Sequence, residues 1–273
     1  MRPDSRADPV SSPSLVVPVV MHQHLIELIR FSTYAELRAE RERSYLGLIW
    51  WVAEPAMMMG AFWLVFDLIL KTGGPDYVPF LLVGLTLWQW MKSCITHGGY
   101  SIWGNLGLIR QVHIPVLVFP LVQIFADTIK FLYIFALLLV ILWLAGFPPN
   151  ITYLALPVVF VVTLLFSAGG GFLMSAVIPL IPDLRFVIEQ ILTMVMFLSG
   201  VVFALDAVPP PLRDWFALNP VVTLLDATRG ILMHGQWPDW IALLKVTLVS
   251  LVILAIGVGV VLRLAPRYPK LAA

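Results

Sequence analysis

Long apolar runs dominate the chain, and each is bounded by clusters of charge, proline or glycine. Only a helix satisfies its own backbone hydrogen bonds in lipid, and crossing a hydrocarbon core of ~30 Å takes about 20 helical residues. Six segments meet that requirement: 45–70, 78–97, 116–147, 153–180, 186–205 and 240–264. The pattern predicts an all-α, polytopic membrane protein with six transmembrane helices in a domain spanning 45–265, and a tail at 266–273. Residues 1–20, rich in Pro, Ser and charge, read as a mobile tail. Residues 21–44 carry no helix breaker and read as a helix with no clean apolar stripe, predicted to lie at the interface. The segment 206–239 is too apolar for a solvated loop and too interrupted by proline to span. It predicts an external re-entrant hairpin of two short helices, broken at Asn219 and Pro220.

Composition agrees with the pattern. Of 273 residues 60% are hydrophobic and 12% charged, about half the charged share of a soluble domain. The net charge of +1 lacks the basic excess that a nucleic-acid surface needs. Cys94, the single cysteine, precludes an intrachain disulfide and reads as a small buried apolar residue. With six spans, eleven of the 17 Lys and Arg residues fall on the side of the termini: Arg2, Arg6, Arg30, Arg38, Arg41, Arg43, Arg110, Arg185, Arg263, Arg267 and Lys270. Lys71, Arg213 and Arg229 fall opposite, so both termini are expected in the cytoplasm.

No nucleotide-binding glycine loop, zinc-binding histidine pair or nucleophile elbow occurs, which leaves no expected catalytic residue, metal or cofactor. Gly169–Gly171 lies within the fourth span, where small residues allow either close helix packing or a hinge. The intramembrane charges demand an explanation, because a charge at the helix centre costs about 2.5 to 3.5 kcal/mol on insertion scales. Glu54 and Lys92 fall at similar depths on neighbouring spans, which allows either an ion pair or a water-facing, protonated Glu54. Asp127 and Lys130, three residues apart, share a helix face. They form either a local pair or the wall of a hydrated passage. Asp67 and Lys71 repeat the arrangement at the outer end of the first span. Trp50, Trp51, Trp143, Trp237 and Trp240 fit the interfacial belt. Trp63, Trp88 and Trp90 either join it or present ring faces to sugar in a pore.

Several stretches resemble one family. "RERSYLGLIWWVAEP" is similar to the opening of the first span in type-2 ATP-binding-cassette permeases that export O-antigen and capsular polysaccharide, through Arg43, Leu46, Gly47, Trp50 and Pro55. "GNLGLIRQVHIP" resembles the family's first cytoplasmic coupling loop, with Asn105, Leu108, Ile109, Arg110 and His113. "PDLRFVIEQ" resembles the second, with Asp183, Arg185 and Glu189, although Pro182 stands where a basic residue is common. "NPVVTLLDATRGIL" resembles the external gate motif through Asn219, Pro220 and Arg229.

The resemblance implies a homodimeric pore in the bacterial inner membrane, working with two copies of a separate ATPase that binds ATP and Mg. Its substrate would be a lipid-linked glycan. Arg38, Arg41 and Arg43 then either attract the substrate's diphosphate or merely anchor the cytoplasmic side. A permease for a drug or small lipid shares the same fold and is the alternative. The Glu54-Pro55 pair resembles the capsule branch and "IRQVHIP" the O-antigen branch, so the polymer stays open.

Overall fold

The computed structural model describes residues 17–43, positions 53, 56–57, 60–61 and 63–69, and residues 76–111, 114–203 and 208–271. All regular structure among the described residues is helical. In chain order the α-helices are α1 (Val17–Arg43), α2 (Tyr77–Gly104), α3 (Leu106–Gln111), α4 (Val118–Leu144), α5 (Leu156–Val177), α6 (Leu184–Leu198), α7 (Pro210–Ala217), α8 (Pro220–Met233), α9 (Trp240–Leu264) and α10 (Tyr268–Leu271). A tight 3-10 turn, Ile151–Ala155, leads into α5.

Among the described residues four helical stretches are long and apolar enough to cross a membrane: Tyr77–Gly104, Val118–Leu144, Ile151–Val177 and Trp240–Leu264. These correspond to the second, third, fourth and sixth expected spans. The expected first span, 45–70, lies largely outside the described residues. The expected fifth, 186–205, differs: α6 is a 15-residue helix that stops at Leu198. Gly200 adopts φ +68, a left-handed conformation that terminates helices at little steric cost. The chain then bends inward, burying Val201 and Val202.

Helix α5 packs between α2 and α9, while α4 lies along α2 and also touches α5 through Phe131, Phe135 and Phe160. Glycines permit this closeness. A Cβ at Gly171 of α5 would stand 2.8 Å from the Cys94 carbonyl oxygen of α2, and one at Gly257 of α9 would stand 2.8 Å from the Leu173 nitrogen of α5. Between the two roles open to Gly169–Gly171, helix packing is the one the geometry displays. Cys94 is fully buried in this seam.

Helix α1 packs along α4. The side with reduced exposure mixes Leu25, Leu28, Ile29 and Leu37 with Ser32, Thr33, Glu36 and Glu40. Ile26, Phe31 and Tyr34 are exposed, which explains the missing apolar stripe. Helix α8 is a core element, burying Val221, Leu224, Leu225, Thr228, Ile231 and Leu232. Asn219 starts it by accepting the Val221 N–H at 3.0 Å, while its Nδ2 donates to Ser199 Oγ at 2.8 Å. The break expected at Asn219-Pro220 is therefore present, with α7 and α8 on either side.

The segment that follows α9 is tied down as well. Tyr268 is fully buried and its hydroxyl donates to the Ala176 carbonyl at 3.2 Å. Burial pushes its phenol up to about 12, so the donor keeps its proton. Arg110 of α3 donates from Nε to the Pro269 carbonyl at 2.8 Å, joining α3 to α10.

Candidate functional site

Thr86, Gln89, Ser93 and His97 recur every three or four residues along α2, so one face of an apolar helix carries a polar stripe. Facing it on α4 are Asp127 and Lys130. Glu40 of α1 closes the third side, and the three elements enclose a cavity of about 250 Å³ that Lys92 and Trp90 also line.

The charges form a relay. Asp127, with only 1% of its side chain exposed, receives Lys130 Nζ at 2.7 Å. His97 Nδ1 lies 2.9 and 3.0 Å from its two carboxylate oxygens. Because a carboxylate only accepts, the His97 ring donates through Nδ1. Lys130, 13% exposed, donates onward to Glu40 at 2.8 and 3.1 Å. An isolated carboxylate here would carry a desolvation cost of several kcal/mol. Compensation by Lys130 on one side and His97 on the other makes its burial tolerable. The chain thereby holds a polar cavity with room for several waters, open at the exposed His97 ring, and α1 is linked to α4 through Glu40 and Lys130.

The Asp127 to Lys130 pair expected from their spacing is present, and the same pair lines a cavity. Lys92 stands at this cavity's edge, half-buried. Glu54, its expected partner, lies outside the described residues. Trp90 contributes a wall: its ring stacks on Phe131 with centroids 4.0 Å apart and planes 7° apart, and its Nε1 donates to Thr128 Oγ1 at 3.3 Å. Phe160 meets both rings edge-on. Trp88 is buried in the core, and Trp63 is exposed.

The remaining sequence candidates fall at the ends of the helices. Arg38 donates to Glu42 at 2.8 Å on the exposed face of α1; Arg41 is exposed, and the Arg43 side chain and His113 lie outside the described residues. Asn105 ends α2, its Nδ2 bonding the Ser101 carbonyl at 2.8 Å. Leu108, Ile109 and Arg110 follow on the short helix α3. The stretch that resembles the second coupling loop is a turn running directly into α6, with Asp183 just before the helix. Arg185 lies over the rings of Trp103 and Phe186 at 5.0 and 4.5 Å. Glu189 accepts the Tyr100 hydroxyl at 2.6 Å, so the foot of α2 is bonded to the foot of α6. Arg229 is 4% exposed and turned inward. Its guanidinium donates to the carbonyls of Gly200 and Val201 at 2.7 Å each and lies 3.4 Å above the Phe80 ring. The residue expected at an external gate thus ties α8 to α2 and to the turn after α6.

Sequence reasoning missed His97, Glu40 and Tyr100. For His97 a signal existed in the polar spacing along α2; Glu40 and Tyr100 had none.

The model of the ABC-2 type transporter family matches residues 27–233, most of the chain. The chain belongs to this family. An O-antigen export system permease protein RfbA of Klebsiella pneumoniae is 23% identical over 250 residues, covering 91% of this chain and 96% of the relative. Its counterpart from Myxococcus xanthus is 26% identical over 221 residues, covering 80% and 85%. The polysialic acid transport protein KpsM of Escherichia coli is 25% identical over 227 residues, covering 82% and 88%. The chain is therefore an ABC-2 permease related to polysaccharide exporters, a cofactor-free transmembrane subunit whose ATPase is a separate protein.

Proposed function

We propose that this permease exports a lipid-linked polysaccharide across a bacterial inner membrane. The observation that carries the proposal is the nearly end-to-end similarity to permeases named for two different glycans, O-antigen and polysialic acid. A shared transport body with a variable polymer fits a route that recognises general glycan properties. The cavity walled by Glu40, Lys92, His97, Asp127 and Lys130 supports this, since a hydroxyl-rich polymer crossing lipid needs polar, hydrated surroundings.

In this proposal the chain works as a homodimer with two ATPase copies. Residues 45–70 and 186–205 complete six spans, with both termini cytoplasmic, and α7 and α8 form the external re-entrant hairpin. Residues Asn105 to Arg110 and Asp183 to Glu189 receive the ATPase stroke, and the Tyr100 to Glu189 bond joins these two inputs. Arg38, Arg41 and Arg43 attract the substrate's diphosphate, as forked guanidinium groups do.

Deleting the gene tests the proposal. Surface polysaccharide is expected to disappear while lipid-linked glycan accumulates inside, and the plasmid-borne gene restores export. Unchanged surface glycan together with a new sensitivity to a drug would overturn it in favour of small-molecule export. A cysteine placed at either terminus is expected to react with a membrane-impermeant maleimide only after permeabilisation.

A further inference from the structure

Apart from the cavity around Asp127 and Lys130, another cavity of about 410 Å³ opens where α8 meets the start of α9. Thr223 and Asp226 of α8 line one side, and Gln236, Trp237 and Asp239 of the connecting loop line the other. The loop is shaped in advance. Gly235 takes φ +62, the Gln236 N–H donates to the Gly230 carbonyl at 2.9 Å, and the Asp239 carboxylate caps α9 by accepting from Ile241 and Ala242 at 2.9 and 3.1 Å. At the rim Trp237 and Trp240 stand with ring centroids 6.3 Å apart and planes inclined by 36°. Each is about half exposed, 51% and 49%.

We propose that this cavity is a binding subsite for uncharged sugar units of the exported polymer. A pyranose presents an apolar C–H face and a rim of hydroxyls. An exposed indole plane matches the face, while carboxylate, amide and hydroxyl groups match the rim. Trp237 supplies the plane; Asp226, Gln236 and Thr223 supply the hydrogen-bonding edge. Two carboxylates at the opening repel phosphate and acidic sugars, which separates this subsite from any that takes the substrate's diphosphate. An acyl chain would leave the polar edge unmatched. The subsite rests on the polysaccharide-export proposal and on the external placement of 206–239, where it would hold the emerging polymer at the outer mouth.

The test uses the full chain with its ATPase partner in detergent. The probe is the surface polysaccharide of the source bacterium, freed of lipid by mild acid and cut to short oligosaccharides. Saturation-transfer NMR reads the contact of sugar C–H protons with the protein. Binding is expected in the wild type and in Trp143→Ala, a control at another exposed tryptophan, with a loss of at least tenfold in Trp237→Ala and Asp226→Asn. Equal binding by all four proteins, or none by the wild type, overturns the subsite. Alkylation of the buried Cys94 reports whether each variant is folded. Should Trp237→Ala expose Cys94, Asp226→Asn decides alone, and full affinity there overturns the proposal. Loss of surface glycan on gene deletion without oligosaccharide binding sinks the subsite only; unchanged glycan on deletion sinks the export proposal and the subsite with it.

Discussion

Replacing Lys130 with methionine removes a charge while keeping most of the side-chain volume, and leaves the Asp127 carboxylate with His97 Nδ1 at 2.9 Å as the remaining partner shown for it. Asp127 is 1% exposed, and breaking a buried pair from one side costs about 3 to 5 kcal/mol. The reverse change, Asp127→Asn, is milder. Lys130 retains Glu40 at 2.8 Å and 13% exposure, so the expected cost is about 1 to 2 kcal/mol. The double variant should lose less than the sum of the singles, with a coupling of about 1 to 3 kcal/mol. Cys94 provides the assay. It is the only cysteine, fully buried, with its sulfur 3.9 Å from the Ile124 carbonyl of α4, so a thiol-reactive dye reaches it only when α2 and α4 separate. Heating in detergent with such a dye should give a Tm for Lys130→Met roughly 6 to 20 °C below the parent. A Lys130→Met protein that melts with the parent, or single effects that simply add, would refute the relay as a compensated charge system.

Other expectations follow from individual contacts. Gly171→Ala places a Cβ 2.8 Å from a backbone carbonyl and should destabilise by about 1 to 3 kcal/mol. Gly107→Ala, where the added carbon meets nothing within 4 Å, should be neutral or stabilising by about 0.4 to 1 kcal/mol; the same dye melt compares them. Arg229→Lys keeps the charge but loses the fork that serves Gly200 and Val201 together. One buried carbonyl left unpaired should cost about 1 to 3 kcal/mol, read as a lowered Tm. Tyr100→Phe deletes the 2.6 Å bond to Glu189, so in the assembled transporter glycan exported per ATP hydrolysed is expected to fall while ATPase activity persists; an unchanged ratio would refute the linkage of α2 to α6.

Long apolar runs made α2, α4, α5 and α9 legible, because partition into lipid and backbone satisfaction are close to additive along a helix. Asn219-Pro220 announced the start of α8 for an equally local reason: a side-chain cap followed by a residue whose missing N–H costs nothing in the first turn. The end of α6 was harder. Apolar residues continue past Leu198, and the stop depends on Gly200 turning left-handed and on Arg229 arriving to bind the carbonyls that follow. Helix α1 gave a weak signal because its docking face mixes leucines with Ser32, Thr33, Glu36 and Glu40, and the partner of Glu40, Lys130, lies 90 residues away.

Composition and periodicity alone imply a helical membrane protein, place the four described helices that are long and apolar enough to cross, and set Asp127 and Lys130 on one face. Spacing within one helix is enough for each of those. It takes the packed helices to bring His97, 30 residues from Asp127, and Glu40, 90 residues from Lys130, into the same relay, and to turn Arg229 inward. Such partnerships depend on how closely helices approach one another, which glycines such as Gly171 permit but no periodicity along a single helix records.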